Sequence, residues 1–122
     1  MTEAKPHPVS INLRKKSRVL AIEYDDGSMF ELECEYLRVH SPSAEVMGHG
    51  PGQEVLQTGK ENVNIDNLEP VGHYAIKIYF DDGHNTGLFT WDYLYELGKN
   101  KKHNWDLYLA ALKQAGIRRN DH

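Results

Sequence analysis

The chain repeats itself. Leu20-Ala21-Ile22-Glu23-Tyr24-Asp25-Asp26-Gly27 is echoed by Ile76-Lys77-Ile78-Tyr79-Phe80-Asp81-Asp82-Gly83. Each copy then runs through a second short apolar segment into a Tyr-Leu pair, Tyr36-Leu37 and Tyr93-Leu94. Before each Asp-Asp-Gly, apolar residues alternate with others at the period of a half-buried strand. Aspartate suits the early turn positions, and glycine takes the left-handed conformation that a tight hairpin needs. The repeat therefore predicts two hairpin-then-helix units sharing one core.

The first unit reads as a hairpin over 20–34, with Leu20, Ile22, Tyr24, Phe30, Leu32 and Cys34 inward. Val9, Ile11 and Leu13 alternate with Ser10, Asn12 and Arg14, a further strand with one wet face. In the second unit Thr86 to Phe89 returns from the turn. Thr90 then caps a short helix carrying Trp91, Leu94 and Tyr95, with Gly98 as its stop. The last helix is capped by Asn104, carries the stripe Trp105, Tyr108, Leu109 and Leu112, and stops at Gly116. Val63 and Ile65 suggest one more strand before Pro70. The fold class is α+β: a mostly antiparallel sheet from two pseudo-repeated β-hairpin/short-helix units, with a C-terminal amphipathic helix. Residues 1–8 read as a flexible arm, 9–117 as a single domain, and 118–122 as a polar tail.

At 122 residues and 39% hydrophobic, the chain can bury one modest core without disulfides. A formal charge of −4 argues against nonspecific nucleic-acid binding, and no apolar run approaches membrane-spanning length. The single cysteine fits a reducing, cytoplasmic setting. The local basic runs, Arg14-Lys15-Lys16-Ser17-Arg18 and Lys99-Asn100-Lys101-Lys102-His103, read as solvated surface.

Candidate chemistry is sparse. Gly48-His49-Gly50-Pro51-Gly52 matches no dinucleotide fingerprint, and Gly59-Lys60 lacks the following Ser or Thr of a P-loop. Cys34 has inward parity and should be protonated and inert. The Asp25-Asp26 and Asp81-Asp82 pairs are explained by their turns. Arg38 suits an anion or, more simply, a salt bridge to a nearby turn aspartate. His40, His49, His73 and His84 fall in loops or at element ends. His84 occupies the turn position that Ser28 holds in the first unit, where an exposed imidazole would be open to a metal.

Three blocks carry a family resemblance: Tyr24-Asp25-Asp26-Gly27; the run from Tyr36-Leu37-Arg38 through Ser41-Pro42-Ser43 to Glu45; and Phe80-Asp81-Asp82-Gly83-His84 through Trp91-Asp92-Tyr93-Leu94. Over roughly residues 10 to 115 the chain resembles the gamma-butyrobetaine hydroxylase-like N-terminal domain family, as a stand-alone bacterial member. In the hydroxylases this domain precedes a 2-oxoglutarate, iron-dependent catalytic domain, for which 122 residues leave no room. Hydroxylase activity is therefore not expected. The resemblance also implies a structural zinc held by three cysteines and one histidine. Ser41, Ser43 and Val46 stand at the cysteine positions and His84 at the histidine, so that zinc site is not expected to be retained. The same domain type resembles the C-terminal domain of P-loop ATPases that carry iron–sulfur clusters.

The expectation is a non-catalytic cytoplasmic adaptor, an accessory to iron–sulfur or metal metabolism through a protein partner. Arg38, His40, His84 and Trp91 are its candidate partner surface, and homodimerisation through an uncovered apolar patch is a further expectation. The alternative is an iron- or zinc-binding protein using His84 with His40 or His49.

Overall fold

The computed structural model describes residues 5–48 and 54–119. The repeat is larger than its sequence echo. Each unit is a three-stranded antiparallel meander followed by a helix. The first comprises β1 (Pro8–Arg14), β2 (Val19–Tyr24), β3 (Met29–Glu33) and α1 (Cys34–Val39). A short α2 (Ala44–Met47) follows. The second unit comprises β4 (Ile65–Val71), β5 (Ala75–Phe80), β6 (Leu88–Thr90) and α3 (Trp91–Lys99), and α4 (Lys101–Gln114) closes the chain. The strands form two antiparallel sheets, in orders β1-β2-β3 and β4-β5-β6, and with the helices they make the expected α+β fold with its C-terminal helix.

The alternating residues do what their period requires. Leu20, Ile22, Tyr24 and Leu32 of one sheet are buried in one cluster with Ile65, Ile76, Ile78, Phe80 and Phe89 of the other. Leu37 of α1 and Leu94 and Leu97 of α3 complete that core. The edge strands repeat each other as well. Both β1 and β4 carry a register irregularity at their start, between Pro8 and Ser10 and between Ile65 and Asn67. Pro70 sits inside β4 without penalty because β4 is an edge strand.

Several local expectations change. β1 shows no wet-and-dry alternation, and Val9 and Ile11 are both exposed. At the start of β1 the Asp25 N–H donates to the His7 carbonyl at 2.8 Å, and Pro8 pairs with Tyr24. Gly98 does not end α3, which runs on to Lys99. It is needed for packing, because a Cβ there would lie 2.4 Å from the Phe30 ring. Asn104 is not a cap. α4 begins earlier, one residue after α3 ends, with Asn100 between them. Asn104 instead donates its side-chain amide to the Tyr36 hydroxyl at 3.0 Å.

The helical stripe of α4 is narrower than expected. Tyr108 and Leu112 are buried with Val39, Trp105 packs against both clusters, and Leu109 is exposed. Gly116, at φ +73°, ends the helix as expected. The Gly116 N–H donates to Lys113 and the Ile117 N–H to Leu112, the paired bonds of a Schellman stop. Thr90 caps α3 as expected, accepting from the Tyr93 N–H at 3.0 Å. No helix among the described residues is long and apolar enough to cross a membrane.

Candidate functional site

The two Asp-Asp-Gly turns divide their labour identically. In each, the first aspartate reaches back to the residue just before its edge strand: Asp25 accepts from the His7 N–H at 3.2 Å, Asp81 from the Asn64 N–H at 3.0 Å. The second closes the turn on the N–H two residues on, Asp26 on Ser28 at 2.9 Å and Asp82 on His84 at 3.1 Å. Gly27 and Gly83 then sit at φ +89° and +90°. Turn chemistry thus accounts for both pairs.

The helices cross over. Tyr36 of α1 donates its hydroxyl to the Leu97 carbonyl at the end of α3, at 2.6 Å. Tyr93 of α3 returns the bond to the His40 carbonyl after α1, at 2.5 Å. The residue two beyond each tyrosine holds the other unit's turn. Tyr95 donates to Asp26 at 2.6 Å, and Arg38 donates through Nε to Asp82 at 2.8 Å. This reciprocity is a pseudo-twofold relation that the sequence echo only hints at.

The second turn is where the units part. Its connection to β6 spans residues 81–87, against 25–28 in the first unit, and the segment after α1 packs against it. Ser41 and Ser43 close over it so tightly that a Cβ on Gly87 would lie 2.3 Å from the Ser41 Oγ. His84 is therefore buried, not exposed as its turn position suggested. Its Nδ1 lies 3.1 Å from Glu45 Oε2, and its Nε2 lies 2.8 Å from Ser41 Oγ and 3.3 Å from Ser43 Oγ. A carboxylate only accepts, so Nδ1–H donates to Glu45, and in the neutral ring Nε2 then accepts from the Ser41 hydroxyl. Burial and then the Arg38 charge lower the His84 pKa, against the opposing pull of Glu45 and Asp82. The lowered pKa favours the neutral ring, the form in which Nε2 accepts from Ser41.

Arg38 is buried beside this cluster and also donates to the Gln57 side chain at 3.0 Å. Lys60 adds a 2.7 Å bond to Asp82. Burial pushes the Asp82 carboxyl up, but Lys60, the His84 N–H and Arg38 outweigh it and hold the pKa at about 2. The salt bridge read from the sequence as the simplest partner for Arg38 is the one present.

The candidate residues do not all meet. Arg38 and His84 are joined through Asp82. His40 turns its Nδ1 to the Tyr36 carbonyl at 2.9 Å, and its ring to Tyr36 and Tyr108. Trp91 lies at the other end of the β5–β6 pair, donating to the His73 carbonyl at 3.1 Å. His49 lies outside the described residues. Cys34 is fully buried as expected, though at the start of α1 rather than on a strand, and burial pushes its thiol up to about 11.

Three of the four positions that the family resemblance aligns with zinc ligands do converge, as Ser41, Ser43 and His84. Their chemistry does not fit the metal. Two neutral hydroxyls cannot replace thiolates, the imidazole lone pair is already engaged, and Val46 offers no donor. Among the described residues no three His, Cys, Asp or Glu side chains are grouped to hold a metal ion. Sequence reasoning missed Glu45, whose carboxylate completes the cluster. The signal available was its place in the Ser41-Pro42-Ser43-Ala44-Glu45 run.

The fold and this internally bonded cluster define a small α+β domain of two pseudo-symmetric meander-and-helix units. The chain belongs to the family described as gamma-butyrobetaine hydroxylase-like, N-terminal, whose model matches residues 11–95. It is similar to two solution NMR structures of proteins. One is 51% identical with a TM-score of 0.82, covering 98% of this chain and 94% of that one. The other is 50% identical with a TM-score of 0.81, covering 98% and 90%. It is also similar to the crystal structure of a protein of unknown function of the DUF971 family from Acidithiobacillus ferrooxidans ATCC 23270. That chain is 41% identical with a TM-score of 0.63, covering 75% of this chain and 92% of that one. No curated protein matches the chain.

Proposed function

We propose that this domain is a non-catalytic cytoplasmic adaptor that works through a protein partner in iron–sulfur or metal metabolism. The observation that carries the non-catalytic part is how completely its polar cluster is committed inward. Ser41 is spent on His84, His84 on Glu45, and Arg38 on Asp82 and Gln57. No buried side-chain nitrogen or oxygen among the described residues lacks a partner. Ser41, His84 and Glu45 are bonded in the order of an activated nucleophile, but Ser41 is fully buried with Gly87 pressed against its Oγ, which leaves no room for a substrate beside it. The pathway class comes from the resemblance to the domain appended to cluster-carrying ATPases.

The surface for the partner is the rim of this cluster. Glu45 keeps 65% of its side chain exposed while its carboxylate holds His84. Thr86, also exposed, donates to the same carboxylate at 3.3 Å. Arg38 and His84 lie buried beneath and hold the rim in place. The test is a photo-crosslinking residue at Glu45, compared in cells with one at Glu69 on β4. One defined adduct from position 45 and none from 69 supports the reading, and no adduct from 45 overturns this surface. The same tag-free, anaerobically purified protein is assayed for iron, zinc and acid-labile sulfide. One metal ion per chain, lost in His84→Gln, replaces the adaptor with the metalloprotein alternative.

A further inference from the structure

A second site lies away from that cluster, in a cavity of about 610 Å³ between α1 and the α3–α4 junction. Tyr36, Gly98 and Trp105 are among the residues that line it, and Glu35 and Arg119 face each other across one side. Glu35 is an acid in an unusual place. It sits in the first turn of α1 with its side chain 9% exposed. Arg119 meets it with a two-point fork: Nε donates to Oε2 at 3.0 Å and Nη2 to Oε1 at 2.5 Å. The guanidinium carbon also lies 5.2 Å from the centre of the Trp105 ring. A carboxylate below and an indole beside the guanidinium are the two elements that recognise arginine and discriminate against lysine.

The occupant comes from the chain's own end. Gly116 stops α4, and Arg119 follows three residues later. The other cations that line the cavity are engaged elsewhere, Lys99 over the Tyr95 ring, Lys101 with Glu33 and Lys102 with Asp106. Among the described residues no other arginine is bonded to the Glu35 carboxylate, and the cavity is far larger than one guanidinium.

We propose that this groove is an arginine-recognition site which the chain fills with its own Arg119, and that a protein partner engages it with an arginine-bearing segment that displaces the tail. This rests on the adaptor reading and names the partner's chemistry. Tethering keeps Arg119 at a high effective concentration, so a partner must also use the remaining volume of the groove.

The test uses the full chain carrying Arg119→Ala and an acetylated Gly-Ile-Arg-Arg-Asn peptide, read by the Trp105 indole N–H resonance. The expected result is saturable binding to the variant and binding at least about tenfold weaker to the unsubstituted chain, whose groove is occupied. Citrulline at the second arginine of the peptide, or Glu35→Gln in the variant, abolishes it. A folded Arg119→Ala protein with no saturable shift overturns the site. So does equal binding of a lysine peptide, which would reduce the contact to charge attraction. Should Arg119→Ala not fold, Arg119→Lys keeps the charge and loses the fork, and it must bind the peptide more tightly than the unsubstituted chain does. Failure here leaves the crosslink at Glu45 untouched, so the two readings fall separately.

Discussion

The two Asp-Asp-Gly turns are built alike and guarded differently. In the first, Asp26 lies at the surface and is held by a neutral hydroxyl, Tyr95; that bond and the Ser28 N–H lower its pKa. In the second, Asp82 keeps 22% of its side chain exposed and is held by two cations, Arg38 and Lys60. Ser28 leaves the first turn open, whereas His84 draws a loop over the second. One scaffold position thus serves as plain turn chemistry in one unit and as the centre of a buried polar cluster in the other. Duplicated geometry preserves the backbone's needs and leaves the side chain beyond them free to change.

The largest expected effect sets Arg38 against its counterpart Tyr95. Arg38→Ala leaves Asp82 short of its buried partner and should cost about 2–3 kcal/mol, with Lys60 retaining part of the attraction. Tyr95→Phe should cost clearly less, and equal losses in chemical denaturation would break the comparison. The second effect concerns the close approaches. Gly98→Ala drives a Cβ into the Phe30 ring, and overpacking should cost about 1–3 kcal/mol despite the better helix propensity of alanine. Phe30→Leu in the same chain should recover part of it by calorimetry.

A third effect compares the helix starts. Thr90→Ala removes the α3 cap and should cost about 1 kcal/mol. Glu33, before α1, makes no side-chain cap bond, so its replacement should lose nothing through capping. The smallest effect is the pH dependence of the second turn. The folded protein lowers the His84 pKa, so the unfolded chain binds its proton more readily. The stability this confers is present above the usual histidine range near 6.5 and is lost as pH falls through the lowered folded value. The midpoint of thermal unfolding should therefore rise from pH 5 to 7, less steeply in His84→Gln. His40, also lowered by burial, contributes the remaining slope.

Much of the fold was legible because it is written in short-range patterns. Alternation gave the hairpins, Asp-Asp-Gly the turns, Thr90 the cap and Gly116 the stop. The edge strands of the two units were harder to equate, since Pro8–Arg14 and Ile65–Val71 share register but little sequence. The site was legible only in pieces. Arg38 on a turn aspartate could be read from charge and turn position. The burial of His84 could not, because it depends on the longer connection before β6 and on Gly87 admitting Ser41. Gly98 misled for the related reason that a glycine kept for a neighbour's ring looks, in sequence, like one kept for a helix end.

The crossed tyrosines have a consequence for how the molecule comes apart. Tyr36 is anchored at the end of α3 and Tyr93 at the end of α1. Neither half can loosen without releasing a hydrogen bond that terminates in the other. Local opening of one unit is therefore charged to both, and the two should exchange their protected amides at a common rate, as a single cooperative body rather than as two tethered modules.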